Sequence, residues 1–290
     1  MRATIPRGVI SAPAMTLSIA DIHNHLVPGV DDGARDEVEA AAALGKLVAG
    51  GVGLVLTTPH VDASILERAA RFPRFHEAIE RAWQGVVERA RDQELAVELF
   101  LGREIKLDTA RPEVDDPRLR LNAGRFVLVE FPRLRVPPGS EDVLHYMGGR
   151  GWIPVVAHVE RYGYGEARDI RLLEQWRAAG AVLQVNAPSL VGRYGPAARE
   201  LGWELLERGW VDLLASDYHA RGETWLDEAR SALDKRGAGE QARLLLDVNP
   251  RRVVADATLE AVPPLPPRAG RWKRLVAALG GGDPRDAERA

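Results

Sequence analysis

The feature that most constrains this chain is a repeated alternation of short and long segments. Seven short runs of β-branched and apolar residues fall at 17–23, 53–58, 95–101, 125–131, 153–158, 181–186 and 211–216. The stretches between them, such as 36–49, 64–92, 141–150, 170–179 and 196–208, carry apolar residues at helical spacing. Short apolar runs bounded by polar turns read as buried strands, and helices between successive strands force crossover connections and therefore a parallel sheet. The pattern predicts an α/β fold. Closing seven strands into a distorted (β/α)7 TIM-like barrel buries both faces of every strand and leaves no edge; an open doubly wound sheet is the competing arrangement. With 290 residues, 46% of them hydrophobic, the chain can bury one large core, and a barrel of this size is ordinarily a single domain.

Composition then removes several classes of function. The 39 basic and 42 acidic residues are interspersed, so no basic face suits nucleic acid. There is no cysteine. That excludes disulfides, thiolate metal sites and every cysteine nucleophile. No apolar run approaches the roughly 18 to 20 residues that span a bilayer, and residues 1–20 lack the order of a signal peptide, so a cytoplasmic location is expected. Met15 stands just before the first strand as an alternative start. The expected division is an N-terminal extension at 1–16, a barrel at 17–262, and an appendage at 263–290. The last opens on Pro-Pro-Leu-Pro-Pro and holds a short basic helix candidate at 271–279, read as a solvated tail. Oligomerisation stays open.

The chemistry-bearing residues sit where the runs end. His23 and His25, two apart, leave one face of the first strand and can share an ion. Asp217 and His219 repeat that spacing after the seventh. Between them come His60 after the second strand, Glu104 after the third, Glu130 closing the fourth, and His158 with Arg161 after the fifth. In a parallel barrel all strand C-termini open on one mouth, so these residues converge there. A lone histidine at a strand end is more often structural than a ligand. Here five of the seven histidines share the position, and carboxylates such as Glu104 and Glu130 in apolar surroundings are costly without a cation or donor. His76 and His145 lie in helical segments and are read as structural.

The motifs DIHNHLVPGVDDG, TTPHV, LGREI, LVEFP, VVAHVERY, QVNAPSLVGRYG and LLASDYHA together resemble the PHP (polymerase and histidinol phosphatase) superfamily. Within it the pattern is similar to the bacterial capsule and exopolysaccharide tyrosine phosphatases of the CpsB/YwqE kind, from about Asp21 to about Val254. The resemblance implies the (β/α)7 PHP barrel with a cluster of two or three divalent metal ions at its mouth, manganese before iron or zinc. One ion would be held by His23, His25, Glu104 and Asp217, a second by Glu104, Glu130 and His158, and a third by Asp32, His60 and His219. Asp31 is the alternative to Asp32. Three such ions against four carboxylates leave a local charge of about +2, attractive to a phosphate monoester.

The mechanism that follows is attack of a hydroxide bridging the ions on phosphorus, with Arg161 as a guanidinium fork on the phosphate. A further family arginine falls at Thr224 here, and Arg221, three residues earlier, is the candidate to replace it. The implied function is a phosphotyrosine-protein phosphatase acting on the tail of a bacterial tyrosine autokinase in polysaccharide synthesis. The alternatives are a small-molecule phosphatase of the histidinol-phosphatase type and a metal-dependent amidohydrolase, in which Lys106 would be a carboxylated bridge.

Overall fold

The computed structural model describes residues 18–66, 72–164 and 170–265. The expected extension at 1–16, the helix candidate at 271–279 and residues 67–71 of the expected helix at 64–92 lie outside the described residues. Where seven strands are expected, nine segments form: β1 Ile19–Asp21, β2 Val52–Thr57, β3 His60–Asp62, β4 Glu98–Leu101, β5 Glu104–Lys106, β6 Phe126–Glu130, β7 Ile153–Val156, β8 Val182–Asn186 and β9 Leu213–Ala215. All pairings are parallel, in the orders β1-β2-β4 and β3-β5-β6-β7-β8-β9.

The surplus comes from breaks in the second and third strands. β2 and β3 are the two halves of one strand interrupted at Thr58 and Pro59, and proline has no N–H to continue a ladder. β4 and β5 are likewise separated by Gly102 and Arg103. A Cβ at Gly102 would lie 2.9 Å from Leu121 Cδ2 and 3.0 Å from Leu56 Cδ2, so a larger residue there would have to displace these two side chains. Beyond the breaks His60 pairs with Glu104, and Glu104 with Leu128, which sets both functional side chains at the mouth.

The ring closes between the first and last strands. Asp217 N–H donates to His23 O and His25 N–H donates to Tyr218 O, both at 2.8 Å, around an Asn24–Tyr218 bridge. Asp21 reinforces the seam by accepting from Ser216 N–H at 2.9 Å and from Ser216 Oγ–H at 2.6 Å. Closure decides for the barrel over the open sheet. The strand pleat then sorts side chains by parity: Phe126 and Leu128 join Ala20, Leu54, Leu56, Val155 and Leu213 inside the barrel, while Val127 and Val129 pack outward against the helices. Each Leu or Val taken out of water in this way contributes about 1.5–3 kcal/mol.

The helices cover the barrel. The first, Glu37–Ala49, starts on Asp36, whose carboxylate accepts Glu39 N–H at 2.8 Å. The expected segments appear as Ala63–Leu66, Phe72–Asp92, Ser140–Gly149, Arg171–Ala178 and Gly195–Glu207. Among the described residues four further α-helices, Ala187–Leu190, Leu226–Asp234, Gly239–Arg243 and Asn249–Val254, have no counterpart among the expected ones. The last plugs the base of the barrel: Val253 and Val254 join the interior cluster, and Asn122 Nδ2–H donates to Val254 O at 2.9 Å. The segment that begins at 263 stays against the barrel through Leu265, which is buried and donates its N–H to Leu206 O at 3.1 Å. Among the described residues no helix is long and apolar enough to cross a membrane.

Candidate metal centre

At the mouth the strand ends place five imidazoles and four carboxylates around one point. His23 and His25 follow β1 with ring centroids 5.4 Å apart. The regular strand ends at Asp21, so the pair is held by the closure hydrogen bonds rather than by the ladder. Three imidazole nitrogens surround a single oxygen, Glu104 Oε2: His23 Nε2 at 3.1 Å, His25 Nε2 at 3.3 Å and His60 Nδ1 at 3.1 Å. These three nitrogens and Glu104 Oε2 are buried, yet none is oriented to make a hydrogen bond. A buried polar atom left unsatisfied costs about 1–3 kcal/mol. Four of them facing one another fit the donor set of a divalent cation, for which neutral imidazole and carboxylate are suitable ligands.

The remaining residues extend this group in two directions. Asp217 Oδ1 lies 3.4 Å from both His23 Nε2 and His25 Nε2. His158 Nε2 lies 3.2 Å from Glu104 Oε1 and 3.7 Å from Glu130 Oε2, while His60 Nδ1 lies 3.6 Å from Glu130 Oε1. Toward solvent, Asp32 Oδ1 lies 3.3 Å from His219 Nε2 and 3.6 Å from His60 Nε2. Three groups can thus each hold an ion: His23, His25 and Glu104; His60, Glu104 and Glu130; and His25, Asp32, His60 and His219. His60 stands between the last two, one ring nitrogen toward each.

The two aspartates of the DDG turn separate by orientation. Asp31 accepts from His25 Nδ1–H at 2.9 Å, from Gly33 N–H at 2.9 Å and from His60 N–H at 3.1 Å, whereas Asp32 faces the mouth. Gly33 is required there: a Cβ would lie 2.1 Å from His25 O. His158 and Asp217 adopt positive φ, 38° and 53°, a conformation that costs on the order of 1–3 kcal/mol in a non-glycine residue and turns both side chains inward.

Charge at the centre is set by these contacts. Burial by itself lowers the pKa of His23, but the charges of Glu104 and Asp217 outweigh it and hold the group at about 9. Glu104 is pushed up by burial and down, by more, by the His23 charge, the His158 hydrogen bond and the close approach of the His23 and His25 rings; the net is well below the usual carboxylate range. Burial and the Glu104 charge raise Glu130. The centre stores negative potential that a cation can take up.

Three cations differ in how they are held. Arg161 donates from Nη1 to Asp217 Oδ2 at 2.7 Å and its guanidinium lies 4.1 Å from the Tyr194 ring, so it is fixed beside the centre. Arg221 donates to the carbonyls of Gly33, at 2.7 Å, and Asp32, which directs it at the loop carrying Asp31 and Asp32. Lys106 Nζ lies 3.5 Å from Asp62 and 3.7 Å from Glu130, off to one side of the ligand groups.

Several participants escape the sequence reading: Asp31 as the partner of His25, and Gln184 and Asn186 on β8, each fully buried. The signal for the last two was available in QVN, two amides on the inward face of an otherwise apolar strand.

A profile of the family described as capsular polysaccharide synthesis, CpsB/CapC, matches residues 19–255. The chain belongs to the CpsB/CapC family. Among its relatives is the tyrosine-protein phosphatase YwqE of Bacillus subtilis (strain 168), 27% identical over 85% of this chain and 95% of the relative. The tyrosine-protein phosphatase CpsB of Streptococcus pneumoniae is 27% identical over 81% of this chain and 98% of its own. A chain from the crystal structures of YwqE and CpsB, described as unique metal-dependent tyrosine phosphatases, superposes with a TM-score of 0.70 at 26% identity, covering 86% of this chain and all of the other. The family span contains every residue of the centre.

Proposed function

We propose that this protein is a metal-dependent phosphotyrosine-protein phosphatase of polysaccharide synthesis. The observation that carries the reading is the set of three imidazole nitrogens orphaned around Glu104 Oε2 at the barrel mouth. His23, His25, Glu104 and Asp217 hold one ion in this reading; Glu104, Glu130 and His158, with His60 beside them, a second; and Asp32, His60 and His219 a third. Manganese is the proposed metal. Bound ions supply Lewis acidity toward phosphoryl oxygens and bring water within reach of ionisation at neutral pH.

The chain's own groups do the rest. Arg161, held in place by Asp217, keeps Nη2 for a phosphate oxygen, where a preorganised donor stabilises developing charge. Arg221 holds the loop that presents Asp32. Lys106 does not serve as a carboxylated bridge: that position belongs to Glu104, and although burial lowers its pKa, Glu130 and Asp62 raise it further and keep the amine protonated. Beside Arg161 lies a cavity of about 420 Å³ walled by Leu134, Tyr162, Tyr164, Tyr194 and Leu201, a surface suited to the ring of an aryl phosphate. A larger cavity, about 650 Å³ around Trp210 and Asp212, borders Phe126 and Ile153 at the opposite ends of their strands.

With no dedicated general acid at the centre among the described residues, the leaving group departs unaided in this reading. Tyrosine, with a pKa near 10, leaves far more readily than an alkoxide. The substrate we propose is the phosphotyrosine tail of a bacterial autokinase, met in the cytoplasm. The test is kcat/KM at one Mn²⁺ concentration for a phosphotyrosine peptide, the matching phosphoserine peptide and histidinol phosphate. The phosphotyrosine peptide should lead; a tenfold or greater preference for histidinol phosphate would transfer the protein to small-molecule phosphatases.

A further inference from the structure

A chain of buried amides links the ligand groups from behind. Gln184 Oε1 lies 3.0 Å from the backbone nitrogen of His158 and 3.0 Å from His23 Nδ1. Gln184 Nε2 lies 2.9 Å from Asn186 Oδ1, and Asn186 Nδ2 lies 2.8 Å from Asp217 Oδ2. Both side chains are on β8 and wholly buried.

The direction of this chain is fixed by one group that cannot reverse. His158 N–H is a backbone donor, so Gln184 must present its carbonyl oxygen to it. That oxygen then requires a proton on His23 Nδ1, so in the neutral ring that would bind a cation the Nε2 lone pair faces Glu104 and Asp217. Gln184 must turn its NH2 toward Asn186, Asn186 must answer with its oxygen, and its own NH2 must point at Asp217. Asp217 receives a second donor on the same oxygen, Arg161 Nη1, which leaves Oδ1 for the side of His23 and His25.

We infer that Gln184 and Asn186 form a directional amide relay that sets the His23 tautomer and aims Asp217, coupling the two sides of the metal centre. Both act as positioning residues, since neither touches the reacting atoms. The inference rests on the metal-centre reading. Neutral amides suit the task because a carboxylate at either place would add charge to a centre already holding Glu104, Glu130 and Asp217, and could not pass a donor onward.

The test measures Mn²⁺ affinity directly, by equilibrium dialysis, beside kcat and the melting temperature. Gln184→Met keeps the volume and removes the relay; Mn²⁺ affinity should fall by about 10- to 100-fold. Gln184→Glu keeps the acceptor for His158 N–H and His23 but loses the donor to Asn186. It should recover most of the Mn²⁺ affinity lost in Gln184→Met while kcat stays low, because Asp217 and Arg161 are no longer aimed. Asn186→Leu should reproduce that split. If the wild type binds Mn²⁺ and all three variants bind and turn over within twofold of it, the relay is wrong. Equal Mn²⁺ losses in the Met and Glu variants also overturn it, since the acceptor role would then carry nothing. A Gln184→Met chain that does not fold leaves Gln184→Glu and Asn186→Leu to decide by the same split. Wild type that binds no divalent metal instead removes the metal-centre reading itself.

Discussion

Two buried histidine environments sit on opposite sides of one strand break. Glu104 points into the barrel and meets His23, His25, His60 and His158; Arg103, its neighbour in sequence, is equally buried but donates to His76 Nδ1 on the helix Phe72–Asp92 at 2.8 Å. Burial pushes His23, His25, His60 and His76 toward the neutral form. Inside, Glu104 and Asp217 reverse the push and His23 stands at about 9; outside, the Arg103 charge adds to burial and His76 falls to about 3. The sign of the neighbour, more than the depth, separates a cation-seeking centre from a closed structural contact. His76 is a neutral acceptor for Arg103, which no carboxylate approaches within ion-pair distance among the described residues.

The largest effect should come from the inner side. Glu104→Gln removes the negative oxygen that three imidazoles share, and turnover should fall on the order of 1,000-fold, more than the 10- to 100-fold typical of losing a ligand's supporting partner. The metal-free variant should also melt lower than wild type, because the surrounding imidazoles favour the Glu104 charge and its loss leaves them without their partner. Retained Mn²⁺ binding and turnover would dissolve the contrast between the two sides. Thorough chelation of the wild type should match the mutant, and Mn²⁺ should restore only the wild type.

Next comes Arg161→Ala, expected to lower turnover about 100-fold with Mn²⁺ content unchanged. Loss of the metal together with activity would make Arg161 a support for Asp217 and nothing more. On the outer side, His76→Leu takes away the imidazole that accepts from Arg103 Nη2 and should destabilise by about 2 kcal/mol, read as a lower melting temperature. Its turnover per folded molecule should stay within about twofold of wild type. A large fall in turnover with an unchanged melting temperature would mean that the outer contact belongs to the active site.

The smallest effect sharpens the comparison through pH. The His76 pKa is lowered from 6.5 to about 3 in the folded protein, so the unfolded chain takes up this proton first as pH falls. The associated stability is present above about 6.5 and is lost progressively as pH drops toward 3. His76→Asn keeps an acceptor for Arg103 but does not titrate. The melting-temperature difference, variant minus wild type, should therefore become more positive on going from pH 7.5 to pH 4.5. A difference independent of pH would show that His76 is not held neutral.

Much of the centre was legible because its signals are local. His23, His25, His60, Glu104, Glu130, His158, Asp217 and His219 each end an apolar run, and a parallel fold carries every such end to one mouth. Asp31 and Asp32 were not separable in the same way. Both are acidic, adjacent and in a glycine-bearing turn, and only the loop's return over His25 turns one inward and the other toward solvent. Arg221 is similar: its place in sequence suggests a phosphate clamp, and its hydrogen bonds go to the carbonyls of Asp32 and Gly33.

By itself the sequence determined the alternation of strand and helix, the parallel sheet, the absence of thiol chemistry and the residues that gather at the mouth. These depend on side-chain period and residue type, which are properties of a few neighbouring positions. The tertiary structure alone decided the breaks at Pro59 and Gly102, the seam from Asp21 to Ser216, the plug formed by Val253 and Val254, and the hydrogen bond from His23 to Gln184. Each of these joins groups far apart in the chain, and its energy exists only once the ring has closed and water has left the site.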